Sequence, residues 1–167
     1  MYQIRNTLDI KSKRLIYNSL IQPYLTYCVN VWFSTNRTNL KLLCTAQKRS
    51  VRALFATAQR QHSRDIFWNK KILPLDKLIN QQEGILAYKV INGTYLLGDI
   101  LTDRHELDHY QHRNHENLRI PLHSTTHSRL FIRYRAIKTW NSLPGDLRSA
   151  SSLSSFKNKL KLMLHQQ

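Results

Sequence analysis

The sequence predicts a mainly α protein: a helical bundle, then a loop-rich segment, then two C-terminal helices. Three observations predict it. Four Gly and four Pro in 167 residues supply too few tight turns for an all-β fold. Apolar residues recur at intervals of three and four through most of the chain. The one long stretch without a clean period, residues 94–126, follows Asn92-Gly93, a helix stop signal. An apolar share of 41% in a chain of this length supports a core, which excludes disorder throughout.

The first helix is expected from Lys11 to Trp32, with Leu15, Ile16, Leu20, Ile21, Tyr24, Leu25, Cys28, Val31 and Trp32 on one face. Pro23 lies inside that pattern. It removes a ladder hydrogen bond and crowds the previous turn, so a kink or break is expected near Leu20–Gln22. A second helix should start after the Ser34-Thr35-Asn36 cap signal and run to about Ala58, packing Leu40, Leu43, Gln47, Val51 and Leu54 inward. Between Gln59 and Leu73 a short segment offers Phe67 and Trp68 for docking. Pro74 then opens a third helix that ends at Asn92-Gly93, weakened by about 1 kcal/mol at Gly84. Residues 94–126 read as loop, with one extended piece at Leu118–Pro121. Helices are expected again from about His127 to Leu143 and from about Leu153 to Leu164, the last capped by Ser152 with Leu153, Phe156, Leu160 and Leu164 facing inward. The chain thus divides into a basic helical bundle (1–93), a His-rich irregular connector (94–126) and a basic helical pair (127–167).

Charge is the first functional signal. Lys and Arg number 26 against 10 acids, a formal net charge of +16, which costs self-repulsion unless an anionic partner relieves it. No acid occurs from Ile10 through Arg64; residues 1–64 carry +10, residues 65–116 carry −2 and residues 117–167 carry +8. Two basic lobes flank a neutral middle, and RNA or DNA is the expected partner. In the second helix Arg37, Lys41, Lys48 and Arg52 fall on one side, away from the apolar stripe, and span about 22 Å at 1.5 Å per residue. Arg129, Arg133, Arg135 and Lys138, followed by Lys157, Lys159 and Lys161, form a second basic surface. Solvated faces of amphipathic helices explain each cluster singly; they explain the acid-free stretch less well.

Catalytic readings find little support. Nucleotidyl transfer needs clustered carboxylates to hold two metal ions, and no two acids are adjacent here. A P-loop, a dinucleotide-binding glycine fingerprint and a G-x-S-x-G elbow are missing. Six histidines crowd between His105 and His127, and His105 and His109 stand one helical turn apart, as in helical zinc sites. No H-E-x-x-H and no nearby cysteine accompany them, so solvated or phosphate-contacting histidines are expected, with no metal or cofactor. Cys28 and Cys44 read as buried free thiols of a reducing compartment. The start lacks the apolar core of a secretion signal, and Leu15–Asn36, although uncharged, is interrupted too often by polar residues to span a membrane. An intracellular location, cytoplasm or nucleus, is expected.

Six segments in order carry a resemblance: RLIYNSLIQPYLTYCVNVW (14–32), LLCTAQKRSVRAL (42–54), ILPLDKLINQQEGILAYKVING (72–93), HYQHRN (109–114), YRAIKTWNSLP (134–144) and SLSSFKNKLKLML (152–164). Together they resemble the region after the palm in reverse transcriptases of non-LTR retrotransposons, the LINE-like elements of the jockey type. The resemblance implies a thumb-like bundle and the helical segment beyond it, which hold template and primer beside a palm that carries the catalytic aspartates. It implies RNA-directed DNA polymerase as the parent activity, a palm domain as a partner, and no catalytic residue in this stretch. Tyr24, Tyr27 and Trp32 match the first thumb helix, Gln47, Lys48 and Arg49 the second, and Trp140, Asn141, Leu143 and Pro144 the late helix. His109, Tyr110 and Arg113 match a loop that usually reads His-Tyr-any-Thr-Arg. His112 replaces the threonine, and Cys28 stands where glycine is usual. The implied roles are nucleic-acid contact for Lys48, Arg49 and Arg113, and packing for Tyr24, Tyr27, Trp32, Trp140, Asn141 and Pro144. A helical interaction module or a decayed reading frame with no nucleic-acid role is the alternative.

Overall fold

The computed structural model describes residues 7–33, 37–56, 61–92, 117, 118, 120, 122, 125 and 128–166, and among them it is helical with no strand. Two compact units divide the chain, Met1–Ile79 and Asn80–Gln167.

In the first unit the expected single helix is four pieces: α1 (Ile10–Ile16), a π turn (Tyr17–Ile21), α2 (Gln22–Thr26) and α3 (Val29–Trp32). Asp9 caps α1, its carboxylate accepting from the Ser12 and Lys11 amides at 3.0 and 3.3 Å. Hydrogen bonding from the Ser12 side chain first, then from the Ser12 amide, holds the Asp9 carboxyl below the usual aspartate range. Pro23 does not break the helix. It has no N–H to give the Ser19 carbonyl, and the Gln22 N–H reaches back five residues to the Tyr17 carbonyl, so the turn widens. The Ser19 hydroxyl donates to the Leu15 carbonyl at 2.7 Å, a back-bond that favours the same bending.

The widened turn changes which side chains go inside. Tyr17, Leu25 and Val29 are buried and Ile21 is half-buried. A strict spacing of four drifts by about 40° per step on an ideal helix, and a turn closed five residues apart takes up part of that drift. Of the nine positions expected inward, only Leu25 is buried; Leu15, Leu20, Tyr24 and Val31 are exposed.

α4 (Arg37–Phe55), α5 (Ser63–Asn69) and the start of α6 (Leu75–Ile91) complete this unit. The core gathers Tyr17, Val51, Leu54, Phe55, Ala56, Ile66, Phe67 and Ile72. Gln47, Val51 and Leu54 face inward as expected, and Phe67 docks while Trp68 stays exposed. Buried Gln47 joins three segments: its Nε2 donates to the Tyr17 hydroxyl at 2.8 Å and to the Leu73 carbonyl at 3.0 Å. α5 ends in a Schellman turn, with the Ile72 N–H on the Phe67 carbonyl, the Lys71 N–H on that of Trp68, and Lys71 left-handed at φ 51°. Arg14 ties α1 to this turn, donating from Nη2 to the Lys70 carbonyl at 2.9 Å.

In the second unit the rest of α6 is surrounded. Gln81, Glu83, Gly84, Ile85, Ala87, Tyr88 and Val90 are all buried, too many sides for one amphipathic face. α7 (Ile132–Asn141) and α9 (Leu153–Gln166) supply the cover, with a 3₁₀ turn (Ser128–Leu130) before α7 and a short α8 (Gly145–Arg148) between them. Tyr88 stacks on Phe156 with centroids 4.5 Å apart, and Trp140 lies tilted 6.1 Å from Phe156. The Tyr88 hydroxyl donates to the Ala150 carbonyl at 2.7 Å. Gly84 has a packing reason: a Cβ there would lie 3.0 Å from Leu160 Cδ2, so Leu160 of α9 fills the space a side chain on α6 would need. Ser152 caps α9 as expected, accepting from the Ser155 amide at 3.2 Å, and Phe156, Leu160 and Leu164 face inward.

Candidate nucleic-acid interface

The joint at YRAIKTWNSLP resolves into separate jobs. Trp140 is buried in the aromatic cluster. Asn141 is the last residue of α7, and its amide makes two bonds to one residue: it accepts from the Leu118 N–H at 2.9 Å and donates to the Leu118 carbonyl at 2.8 Å. Leu118, the first residue of the piece expected to be extended, is thus pinned by a side chain, while Arg119 and Pro121 lie outside the described residues. Ser142 closes the helix by donating from Oγ to the Thr139 carbonyl at 2.7 Å, and the Pro144 carbonyl accepts the Leu147 and Arg148 amides that open α8. Pro144 starts a new turn where only a stop was expected.

Arg135 requires a correction. It was expected on the basic surface, yet it is 8% exposed and its Nε donates to Glu83 Oε1 at 2.6 Å, with Nη2 on the same oxygen. Thr139 Oγ1 donates to Glu83 Oε2 at 2.9 Å. Glu83 follows the polar Asn80-Gln81-Gln82 of α6 and is 3% exposed, so a counter-ion must come inward to meet it. Acids are almost never fully buried unpaired, but the polar neighbours of Glu83 gave no local sign that it would be buried.

The remaining basic positions divide cleanly. On α4, Lys41, Lys48, Arg49 and Arg52 are exposed, and none of these side chains has a hydrogen bond or ion pair among the described residues. Lys41, Lys48 and Arg52 lie within about 40° of one another around the helix and span about 16 Å along it. On another face, centred about 110° round the helix, Gln47, Val51 and Leu54 hold it to its unit, so the ridge is fixed by a packed face. In the second unit Arg129 (3₁₀ turn), Lys138 (α7), Lys157 and Lys161 (α9) are exposed, Arg133 is half-buried, and Lys159 reaches the Asp146 carbonyl at 3.4 Å. Arg113, His105, His109 and the side chain of Arg37 lie outside the described residues. Among the described residues no cluster of His, Cys, Asp and Glu is arranged to hold a metal.

No family model matches this chain, and neither a curated protein nor a solved structure does. Among the described residues no helix is long and apolar enough to cross a membrane.

Two further expectations change. Tyr24 and Tyr27 were assigned to packing, but they are 84% and 76% exposed. Trp32 is half-buried and does serve structure: its indole N–H donates to the Tyr27 carbonyl at 2.6 Å, fixing the turn between α2 and α3. Cys28 forms that turn and is exposed where a buried thiol was expected, with a left-handed backbone at φ 47°. Cys44 is half-buried and free. Burial raises its thiol above the ordinary range; Asp76 raises it further and Lys48 opposes both.

Proposed function

We propose that this chain binds RNA and DNA through their phosphate backbones, as the thumb and post-palm region of a non-LTR retrotransposon reverse transcriptase would, and carries no catalytic step itself. One observation carries the reading: α4 presents Lys41, Lys48, Arg49 and Arg52 to solvent without counter-ions among the described residues, in a stretch with no acid from Ile10 through Arg64. Such a row gains free energy by releasing counter-ions from a polyanion, and it does so with little regard to base sequence. The left-handed backbone at Cys28 adds support, because glycine, the residue usual there in the resembling family, adopts that conformation without strain.

The test is the salt dependence of binding to structured RNA and to duplex DNA, with heparin as an equally acidic competitor. Wild type should lose affinity linearly in log–log form, with a slope of about −0.9 for each phosphate neutralised on duplex. Lys41→Glu with Lys48→Glu should weaken binding to every sequence tested and reduce the slope by about two. Unchanged affinity and slope remove α4 from the interface. Equal binding of heparin and nucleic acid reduces the reading to bare charge.

A further inference from the structure

We propose that Tyr24 and Tyr27 form a stacking platform for the bases of single-stranded nucleic acid, so that the first unit prefers a single strand to a duplex. This deepens the backbone-binding reading and rests on it. The two rings are among the most exposed large side chains of the protein, and neither phenol has a hydrogen bond or ring contact among the described residues. Their backbone is nonetheless held in place. The Tyr27 N–H donates to the Pro23 carbonyl at 2.8 Å, its carbonyl accepts the Trp32 indole at 2.6 Å, and buried Leu25 and Val29 anchor the segments on either side of the turn. With the backbone beneath the rings fixed, meeting a planar ligand orders only the two side chains.

The surroundings select an anionic ligand. Leu15 through Asn36 carries no charge, Lys11, Lys13 and Arg14 precede it, and Lys41 and Lys48 follow on α4, which packs against α1 and the π turn. No carboxylate from Ile10 through Arg64 repels a phosphate. Access to base faces then favours a single strand: its bases meet a ring freely, whereas a duplex must first unpair, and base–aromatic stacking is tolerant of sequence.

The experiment measures fluorescence anisotropy of labelled oligothymidine and of a duplex of the same length, with the full chain, Tyr24→Ala/Tyr27→Ala and Tyr24→Phe/Tyr27→Phe. Both positions are solvated, so the variants should keep the wild-type circular dichroism. Wild type should bind the single strand more tightly. The alanine variant should lose at least about fivefold for each ring on the single strand, keep its duplex affinity, and be rescued by phenylalanine. Equal loss on both ligands, or no loss on the single strand while duplex binding persists, overturns the platform and leaves the α4 reading standing. If wild type binds neither ligand, the backbone reading itself fails. Wild-type self-association in sedimentation that the alanine variant abolishes, with oligothymidine binding unchanged, assigns the face to a second copy and overturns the proposal.

Discussion

Replacing Arg135 with Met takes the guanidinium away from Glu83 while keeping most of the side-chain volume. Glu83 is then left with Thr139 Oγ1, 2.9 Å from Oε2, at a position only 3% exposed. Breaking a buried pair from one side costs about 3–5 kcal/mol, because the stranded charge has lost both water and partner. That is a large part of the roughly 5–15 kcal/mol that holds a domain folded. At about 4–8 °C per kcal/mol for a unit of 60–100 residues, melting should fall by at least about 12 °C. Adding Glu83→Leu removes the stranded carboxylate, so the double variant should return to within about 1 kcal/mol of wild type. Urea denaturation of the four proteins, followed by far-ultraviolet circular dichroism, gives the coupling as a double-mutant cycle. A double variant no more stable than Arg135→Met would refute the charge argument and make the loss one of packing. The same pair separates structure from binding: Arg135→Met should leave nucleic-acid affinity per folded molecule unchanged.

Left-handed backbone at a side-chain-bearing residue costs roughly 1–2 kcal/mol, so Cys28→Gly and Lys71→Gly should each stabilise the protein by about 0.5–1 kcal/mol once unfolded-state entropy is subtracted. Chemical denaturation checks this, and a loss at either site would mean that the side chain, not the turn, holds that segment. Alkaline pH should destabilise the first unit. Burial raises the Tyr17 phenol from 10.0, opposed by the hydrogen bond from Gln47, and raises the Cys44 thiol from 9.0. The unfolded chain releases these protons first, so the stability present below about pH 9 falls as pH rises through the folded values. Tyr17→Phe should cost about 1 kcal/mol at neutral pH, since Gln47 keeps the Leu73 carbonyl, and should flatten the alkaline decline. An unchanged decline in a pH series of melts assigns it to other groups.

What was legible in the sequence was local. α9 follows from one cap, Ser152, and one period, Phe156–Leu160–Leu164, and the structure has both. Pro23 announced a disturbance, but the π turn it leaves puts Tyr17, Leu25 and Val29 inside, and the partner Tyr17 meets there is Gln47, 30 positions further on. Arg135 looked like its basic neighbours because periodicity carries no information about a carboxylate 52 residues away. Asn141 likewise read as a helix breaker, while its two bonds go to Leu118, 23 residues back. On α4 the exposed ridge was legible, because Gln47, Val51 and Leu54 fix the inner face by local spacing alone.

With 26 cations and 10 acids, 16 positive charges stay uncompensated however the chain folds. One acid, Glu83, is committed to a buried pair, which leaves still fewer for the surface. Folding therefore works against a repulsion that salt screens, with a Debye length of about 10 Å at 0.1 M and about 3 Å at 1 M. Binding to a polyanion draws on the same unpaired charge and is weakened by the same ions. The two salt effects must then have opposite signs: between low and moderate sodium chloride the melting temperature should rise while affinity for nucleic acid falls. A melting temperature that falls over that range would mean that the Lys and Arg side chains are engaged in stabilising surface pairs, and the ridge on α4 would lose its claim to be waiting for a phosphate.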